Sequence, residues 1–326
     1  MTLKVHFPTL PMPNTLDELR PLLPAAIAIS AGPAVAQPAD CDILVTGVVT
    51  PEHLAASPHL RAVIVPYAGI SFETQALLRE HPDVALHNLH FNDIPTAEMA
   101  VALLLAASKH IVQLDRRLRQ GNWEWDDESN PTDTLSGKTA VILGYGVIGR
   151  RLAPVCQALG MQVIGVRRHD PPAPLENGVT VCSVRELTGL LPRADVLICL
   201  LPHTRETAGL IGAAELALLP RHAIVVNVGR GAVIDEAAFF FALRDRQIRA
   251  AGIDVWYHYP KDDGARANTY PSSYPFHELE NVVMTPHRAG WLKSFEKLRV
   301  RALAELLLAA AEGRAMPNKV DKELGY

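Results

Sequence analysis

Residues 139–151 read Thr-Ala-Val-Ile-Leu-Gly-Tyr-Gly-Val-Ile-Gly-Arg-Arg, and no other stretch constrains the fold as much. Thr139 to Leu143 is a short apolar, β-branched run of the kind that fills a buried parallel strand. Gly144, Gly146 and Gly149 then spell G-x-G-x-x-G. Val147 to Leu159 has the pattern of a helix stopped by Gly160, and Met161 to Val166 is a second apolar run. Strand, glycine turn, helix, strand is the context in which this spacing binds a dinucleotide. Gly144 permits the tight turn, Gly146 lets the backbone approach a pyrophosphate, and Gly149 lets the helix pack close on the strand. The N–H groups at the helix start, around Tyr145, Val147 and Ile148, then face the phosphates. The plainer alternative is an ordinary glycine-rich turn, and the register of the flanking strands and helix speaks against it.

At 326 residues, two domains are expected, and the hydrophobic content of 48% supplies core material for both. A net charge of −4 gives no reason to expect nucleic acid or an acidic membrane as a partner. Met1 to Arg20 contains Lys4, Asp17, Glu18 and several prolines, without the apolar core of a signal peptide. Met99 to Ala107, the most apolar stretch, is too short to span a bilayer. Cys41, Cys156, Cys182 and Cys199 lie far apart with no C-x-x-C. They read as buried thiols in a reducing compartment, which points to the cytoplasm.

In the first hundred residues, apolar runs alternate with helical stretches. Lys4 to Phe7, Ala26 to Ser30, Ile43 to Thr46, Ala62 to Val65 and Val84 to Leu89 read as strands. Thr15 to Leu23, Pro51 to Ala56 and Ser71 to Glu80 read as helices. Such alternation implies a parallel sheet covered on both faces, and Ala31 to Pro38 reads as a surface loop. Pro66-Tyr67-Ala68-Gly69-Ile70 follows a strand and precedes a helix, where free N–H groups could hold an anion; a plain turn fits equally well. His87 and His90 read as polar loop residues, because no third ligand is spaced to complete a metal site. Asp93 opens a long helix, apolar all round to Ser108 and amphipathic through Leu118, whose first part is expected to be buried between two domains. Gly121 to Ser136, with Trp123 and Trp125, reads as a connecting loop.

After Val166 stand Arg167, Arg168 and His169. An NAD site wants an acid here for the ribose 2′-OH, whereas arginine suits a 2′-phosphate. The cofactor expected is therefore NADP, with NAD possible; solvated surface charge is the bland alternative. Further strands, Asp195 to Leu200, Ala223 to Val228, Ala250 to Val255 and Val282 to Met284, end in Pro202-His203-Thr204, Asn227-Val-Gly-Arg230, Asp254 and Thr285-Pro-His287. Arg230 can grip a carboxylate bidentately and His287 can trade protons near neutral pH. Singly, each could equally be structural.

Together these stretches resemble the D-isomer-specific 2-hydroxyacid dehydrogenase family. The matching pieces are Leu135-Ser-Gly-Lys-Thr, Gly144-Tyr-Gly-Val-Ile-Gly149, Leu201-Pro-His-Thr, Asn227-Val-Gly-Arg-Gly231, Gly252-Ile-Asp-Val-Trp256 and Thr285-Pro-His287. The resemblance implies an α/β fold of two doubly wound parallel-sheet domains with the active site in the cleft between them. Residues 1–98 and 291–326 would form a flavodoxin-like substrate domain, and residues 99–290 a Rossmann dinucleotide-binding domain. It implies that Arg230 binds and polarises a 2-oxo acid, that His287 exchanges the hydroxyl proton, and that the backbone of Tyr67, Ala68, Gly69 and Ile70 holds the carboxylate. Pro202, His203, Thr204, Val228, Gly229 and Asp254 would line the cofactor. It also implies a helix from about Leu292 to Glu312 that returns to the first domain, and a homodimer contact carried by the helix from Ile94 to Leu118.

One position departs from the family pattern. A glutamate usually stands five residues after the Asp-Val aspartate and pairs with the catalytic histidine; here the segment reads Asp254-Val-Trp-Tyr-His-Tyr259-Pro260. Tyr259 takes the glutamate's place, unless Asp262, Asp263 or Glu278 folds back to replace it. The expected activity is reduction of a small 2-oxo acid, of glyoxylate or hydroxypyruvate type, to the D-2-hydroxy acid. The alternatives are a formate-type oxidation that needs no acid–base pair, and a dinucleotide-binding sensor.

Overall fold

The computed structural model describes residues 2–32, 40–124, 132, 134–170 and 175–325. The loop read at Ala31 to Pro38 falls outside these from residue 33 onward, as does Trp125 of the 121–136 connection. The chain divides into two compact units, Met1–Asn92 with Leu292–Tyr326, and Asp93–Trp291.

The first unit is built from β1 (Leu3–Phe7), α1 (Thr15–Leu19), β2 (Ile27–Ala31), β3 (Ile43–Val45), α2 (Pro51–Ala55), β4 (Ala62–Val65), α3 (Phe72–Arg79) and β5 (Ala85–Asn88). Its five strands are all parallel, in the order β2-β1-β3-β4-β5. This is the flavodoxin-type doubly wound order. Period-two alternation explains why the strands read as unbroken apolar runs. Ile43, Val45 and Ile64 enter one core while Leu44, Val63 and Val65 enter the core on the other face.

The second unit holds α4 (Asp93–Ser108), α5 (Ile111–Leu118), β6 (Thr139–Leu143), α6 (Val147–Ala158), β7 (Gln162–Arg167), β8 (Leu175–Glu176), β9 (Val179–Ser183), α7 (Leu187–Leu190), β10 (Val196–Cys199), α8 (Ala213–Leu218), β11 (Ile224–Asn227), α9 (Glu236–Arg244), β12 (Ala250–Ile253) and β13 (Val282–Met284). The sheet order is β13-β12-β11-β10-β6-β7-β9-β8. Apart from β8 it is the Rossmann winding, with β6 and β10 on either side of the point where the order reverses. The chain then returns to the first unit, where α10 (Phe295–Ala311) buries Val300, Leu303 and Leu307 in the core with Val5, Ile43 and Ile64.

Two elements differ from the sequence reading. The single helix expected to Leu118 is broken: His110 has φ 54°, a left-handed conformation that stops a helix, and α5 leaves α4 at 63°. The apolar α4 packs on β11, β12 and α6 within the second unit, and the break falls where the pattern turns amphipathic. The other is a hairpin that the strand reading passed over. β8 pairs antiparallel with β9 across Asn177 and Gly178, both at positive φ, which is the backbone an Asn-Gly turn favours. His87 is also no loop residue. It lies buried in β5 with Nδ1 2.8 Å from the Pro317 carbonyl oxygen. All four cysteines are free and buried. Among the described residues, no single helix is long and apolar enough to cross a membrane.

Candidate active site

The glycine turn has the geometry its spacing predicts. Gly144 sits at φ +103°, and the N–H groups of Gly144 and Tyr145 both donate to the Val166 carbonyl, at 3.0 and 2.9 Å. The first bond of α6 runs from Arg150 N to Gly146 O, so the N–H groups of Val147, Ile148 and Gly149 precede it and stay available at the helix mouth. A Cβ added to Gly146 would meet nothing within 4 Å, whereas one on Gly149 would reach the Gly144 carbonyl oxygen at 3.0 Å. Open space lies over the middle glycine and tight packing under the last, which fits a pyrophosphate. Tyr145 turns the other way. Its ring is buried over Gly165 of β7, where any side chain would clash, and its own N–H and carbonyl are taken by the Val166 carbonyl and Arg167 Nε.

Neither arginine at the end of β7 is plain solvated charge. Arg167 Nη2 lies 2.6 Å from Glu176 Oε2 and its Nε donates to the Tyr145 carbonyl at 3.1 Å, while Arg168 pairs with Glu206. Glu176 also takes Arg150 Nε at 2.6 Å. The Arg150 hydrogen bond, with the charges of both arginines, holds its carboxyl below the usual range. An acid that pairs with Arg167 thus comes from the β8–β9 hairpin. Asn177-Gly178 was the signal that could have found it.

Four groups of catalytic interest stand at the carboxyl ends of neighbouring strands β10 to β13, where ligands bind in such sheets. His203 follows β10, Arg230 follows β11, Asp254 follows β12, and His287 follows β13. The Asn227 side chain shapes the Arg230 turn, accepting from Gly229 N at 3.1 Å and donating to the Arg230 carbonyl at 3.1 Å. The Arg230 side chain folds over this turn, with Nη1 2.6 Å from the Gly229 oxygen. Gly231 is required there, since a Cβ would come within 2.4 Å of the Trp256 carbonyl oxygen. Burial pushes the Arg230 guanidinium down from its ordinary value, and the Tyr259 phenol opposes this. Burial and then the Arg230 charge also lower His203. Thr204 caps its own loop with Thr207, and Val228 is buried with its N–H on the Cys199 carbonyl.

Asp254 is fully buried. Its Oδ1 accepts from the Thr285 hydroxyl at 2.6 Å and Arg288 N at 2.7 Å, and its Oδ2 from Ala289 N at 2.8 Å. The carboxylate therefore grips the turn that carries His287, which itself has φ 55°. No pattern in the sequence announced that role. Tyr259 meets His287 ring to ring, with centroids 5.5 Å apart, while its hydroxyl accepts from Trp256 N at 3.1 Å. The three acids that could have replaced the glutamate are occupied elsewhere. Asp262 caps Ala265, Asp263 pairs with Arg266 at 2.8 Å, and Glu278 lies 3.9 Å from His277. The His287 imidazole is pushed below its ordinary pKa by burial and next by the Arg230 cation, with Asp254 pulling it back up.

A pH prediction follows from these charges. If the site carries out the reduction expected from the sequence, with His287 as the acid, the imidazolium is the active form, and the rate should be full at low pH and fade as pH rises through a pKa below the ordinary value of about 6.5. Tyr259→Glu places a carboxylate against the ring and should move this limb of the kcat/KM profile upward by about one pH unit. A limb left in place would show that Tyr259 does not govern the proton donor.

In the first unit, the turn Pro66 to Ile70 leaves β4 with its carbonyls tied inward. Tyr67 O accepts from Leu89 N at 3.2 Å and Ala68 O from Asn88 Nδ2 at 2.8 Å. In a trans peptide the N–H points opposite to the carbonyl. The N–H groups of Ala68 and Gly69 are thereby turned outward together. Ile70 packs into the core beside α3. Asn88, which sets this geometry, gave no signal beyond being a polar residue at the end of an apolar strand. A separate cavity of about 110 Å³ opens among His110, Arg116, Arg246 and Asn281. It lies at the opposite ends of β12 and β13 and holds none of the catalytic candidates.

Residues 101–289 match the family model described as D-isomer specific 2-hydroxyacid dehydrogenase, NAD binding domain. This chain belongs to that family. Glyoxylate reductase of Aeropyrum pernix is 37% identical over 235 residues, covering 70% of this chain and 67% of the relative. D-3-phosphoglycerate dehydrogenase of Methanocaldococcus jannaschii is 33% identical over 242 residues, 72% of this chain and 43% of the relative, so the chain spans less than half of that longer protein. Among solved structures, a family member from Xanthobacter autotrophicus Py2, in complex with NADPH and MES, superposes with a TM-score of 0.82 at 26% identity over the whole of both chains. The cofactor of the family is NAD(P), and the α/β fold of the dehydrogenases is this one.

Proposed function

We propose that the protein is an NADPH-preferring reductase that converts a small 2-oxo acid, of glyoxylate or hydroxypyruvate type, to the D-2-hydroxy acid. The observation that carries this reading is the set of Arg230, Asp254 and His287 on adjacent strand ends of the sheet that also bears the dinucleotide turn, close enough that both charges act on the imidazole. Bound at that turn, the cofactor supplies the hydride. The first-unit turn offers the outward N–H groups of Ala68 and Gly69 to the substrate carboxylate. Arg230 offers its fork to the 2-oxo group and polarises the carbonyl. His287, held by Asp254 through the Thr285–Ala289 turn, gives its proton to the carbonyl oxygen as the carbon takes the hydride, so that no free alkoxide forms. Arg167 and Arg168 favour the 2′-phosphate. The apolar face of α5, with Ile111, Leu114 and Leu118 exposed, supports a homodimer, and the four free thiols support a cytoplasmic enzyme.

A kinetic panel tests the reading. The enzyme with NADPH is offered glyoxylate, hydroxypyruvate, pyruvate and 2-oxoglutarate, and with NADP⁺ it is offered formate. Steady NADPH oxidation with a small 2-oxo acid is the expected result. Formate oxidation alone would reverse the assignment, and tight cofactor binding without turnover would mark a sensor.

A further inference from the structure

Arg299 of α10 is 2% exposed and is the largest fully buried side chain among the described residues. A buried arginine is ordinarily paired and fully hydrogen-bonded. Here the pairing is incomplete. Glu296 Oε2 lies 3.1 Å from Nη1, yet that oxygen and the Nε and Nη1 of Arg299 have no partner in hydrogen-bond geometry. The other oxygen of Glu296 is taken by the Thr15 hydroxyl at 2.5 Å. Three aromatic rings also stand around the guanidinium. It stands 4.7 Å from the Phe295 ring centroid, 4.9 Å from Tyr67 and 5.9 Å from Phe91. A methionine or leucine could fill this space without the cost of burying a charge. Stability therefore does not account for an arginine here.

What arginine does and an apolar residue cannot do is hold an aromatic face and place a positive charge behind it. The ring it holds is the functional one. Tyr67 is 40% exposed and opens the turn whose Ala68 and Gly69 N–H groups face outward. Its ring is fixed on another side too: a Cβ on Gly47 would touch Tyr67 Cε2 at 3.5 Å. Through this contact Arg299 sets the orientation of the wall, and its guanidinium, only partly paired by Glu296, adds positive potential toward the turn. We infer that Arg299 is a positioning residue that makes the Tyr67–Gly69 turn selective for a carboxylate, and so a determinant of substrate specificity. This rests on the carboxylate-binding reading of the turn given above.

The experiment is a double-mutant cycle on the enzyme saturated with NADPH, using Arg299→Met, Arg299→Lys, Tyr67→Ala and the Arg299→Met/Tyr67→Ala pair. Arg299→Met should raise KM for the best 2-oxo acid by about tenfold, with kcat and the KM for NADPH within about twofold. Arg299→Lys should recover part of the loss. In the Tyr67→Ala background, Arg299→Met should change KM by less than about twofold, since the two act as one unit. A merely structural role would give additive effects or move kcat and cofactor KM together, and either outcome overturns the inference. A parent enzyme that turns over 2-oxo acids but keeps its KM in Arg299→Met refutes the role of Arg299 alone. A parent that turns over none refutes the reading of the turn and this inference with it.

Discussion

Arg230→Lys is expected to lower kcat/KM for every 2-oxo acid by about a hundredfold, the loss of a charge-assisted, forked contact of roughly 1.5–3 kcal/mol. The charge stays but the geometry goes. Arg230 is held by the Asn227 cradle and by its own contact with Gly229 O, which aim the planar fork, and an ammonium has no plane to aim. The same variant separates binding from electrostatics. The Arg230 cation lowers the His287 pKa, so a lysine should leave the pH limb near its parent position. Arg230→Gln removes the cation and should shift the limb to higher pH as well as weakening substrate binding. The KM for NADPH should change little in both. Activity of Arg230→Lys within about threefold of the parent, well under 1 kcal/mol, would remove Arg230 from the role of anchor.

The second large effect concerns the cofactor. NADPH should exceed NADH in kcat/KM by about ten- to a hundredfold, the value of one arginine–phosphate contact. Arg167→Asp should collapse or reverse that ratio. Glu176 adds a term: its carboxylate, 2.6 Å from Arg167, competes with a 2′-phosphate for the same guanidinium. Glu176→Gln should therefore widen the preference for NADPH, chiefly through KM. Equal or better kinetics with NADH in the parent would contradict the assignment of Arg167 and Arg168.

Much of this site was legible because its chemistry is local. The G-x-G-x-x-G spacing specifies a turn whose first and last glycines answer to neighbours within a few residues or one strand away, while the middle one borders open space. The motifs bearing Arg230, Asp254 and His287 each end a strand, and parallel winding brings such ends to one edge of the sheet. What was not legible depends on pairings distant along the chain. Glu176 reaches Arg167 only because a two-residue strand doubles back at the sheet edge, a segment too short for periodicity to register. The break between α4 and α5 rests on one residue at positive φ, and a single histidine is too weak a signal to end a helix pattern. Asp254 was expected beside the cofactor. Its bonds to residues 31 to 35 positions away give it a second task that the sequence did not announce, the holding of the histidine turn. Arg299, in a helix expected only as the return to the first domain, acts on a tyrosine far earlier in the chain.

The measurement that bears most directly on the central claim is a transfer of label. With NADPH deuterated at the transferring position of its nicotinamide, hydroxypyruvate should be converted to D-glycerate carrying one deuterium at C2, and His287→Gln should abolish the transfer while the cofactor still binds. Deuterium absent from C2, product of the L configuration, or full transfer in His287→Gln would contradict the account.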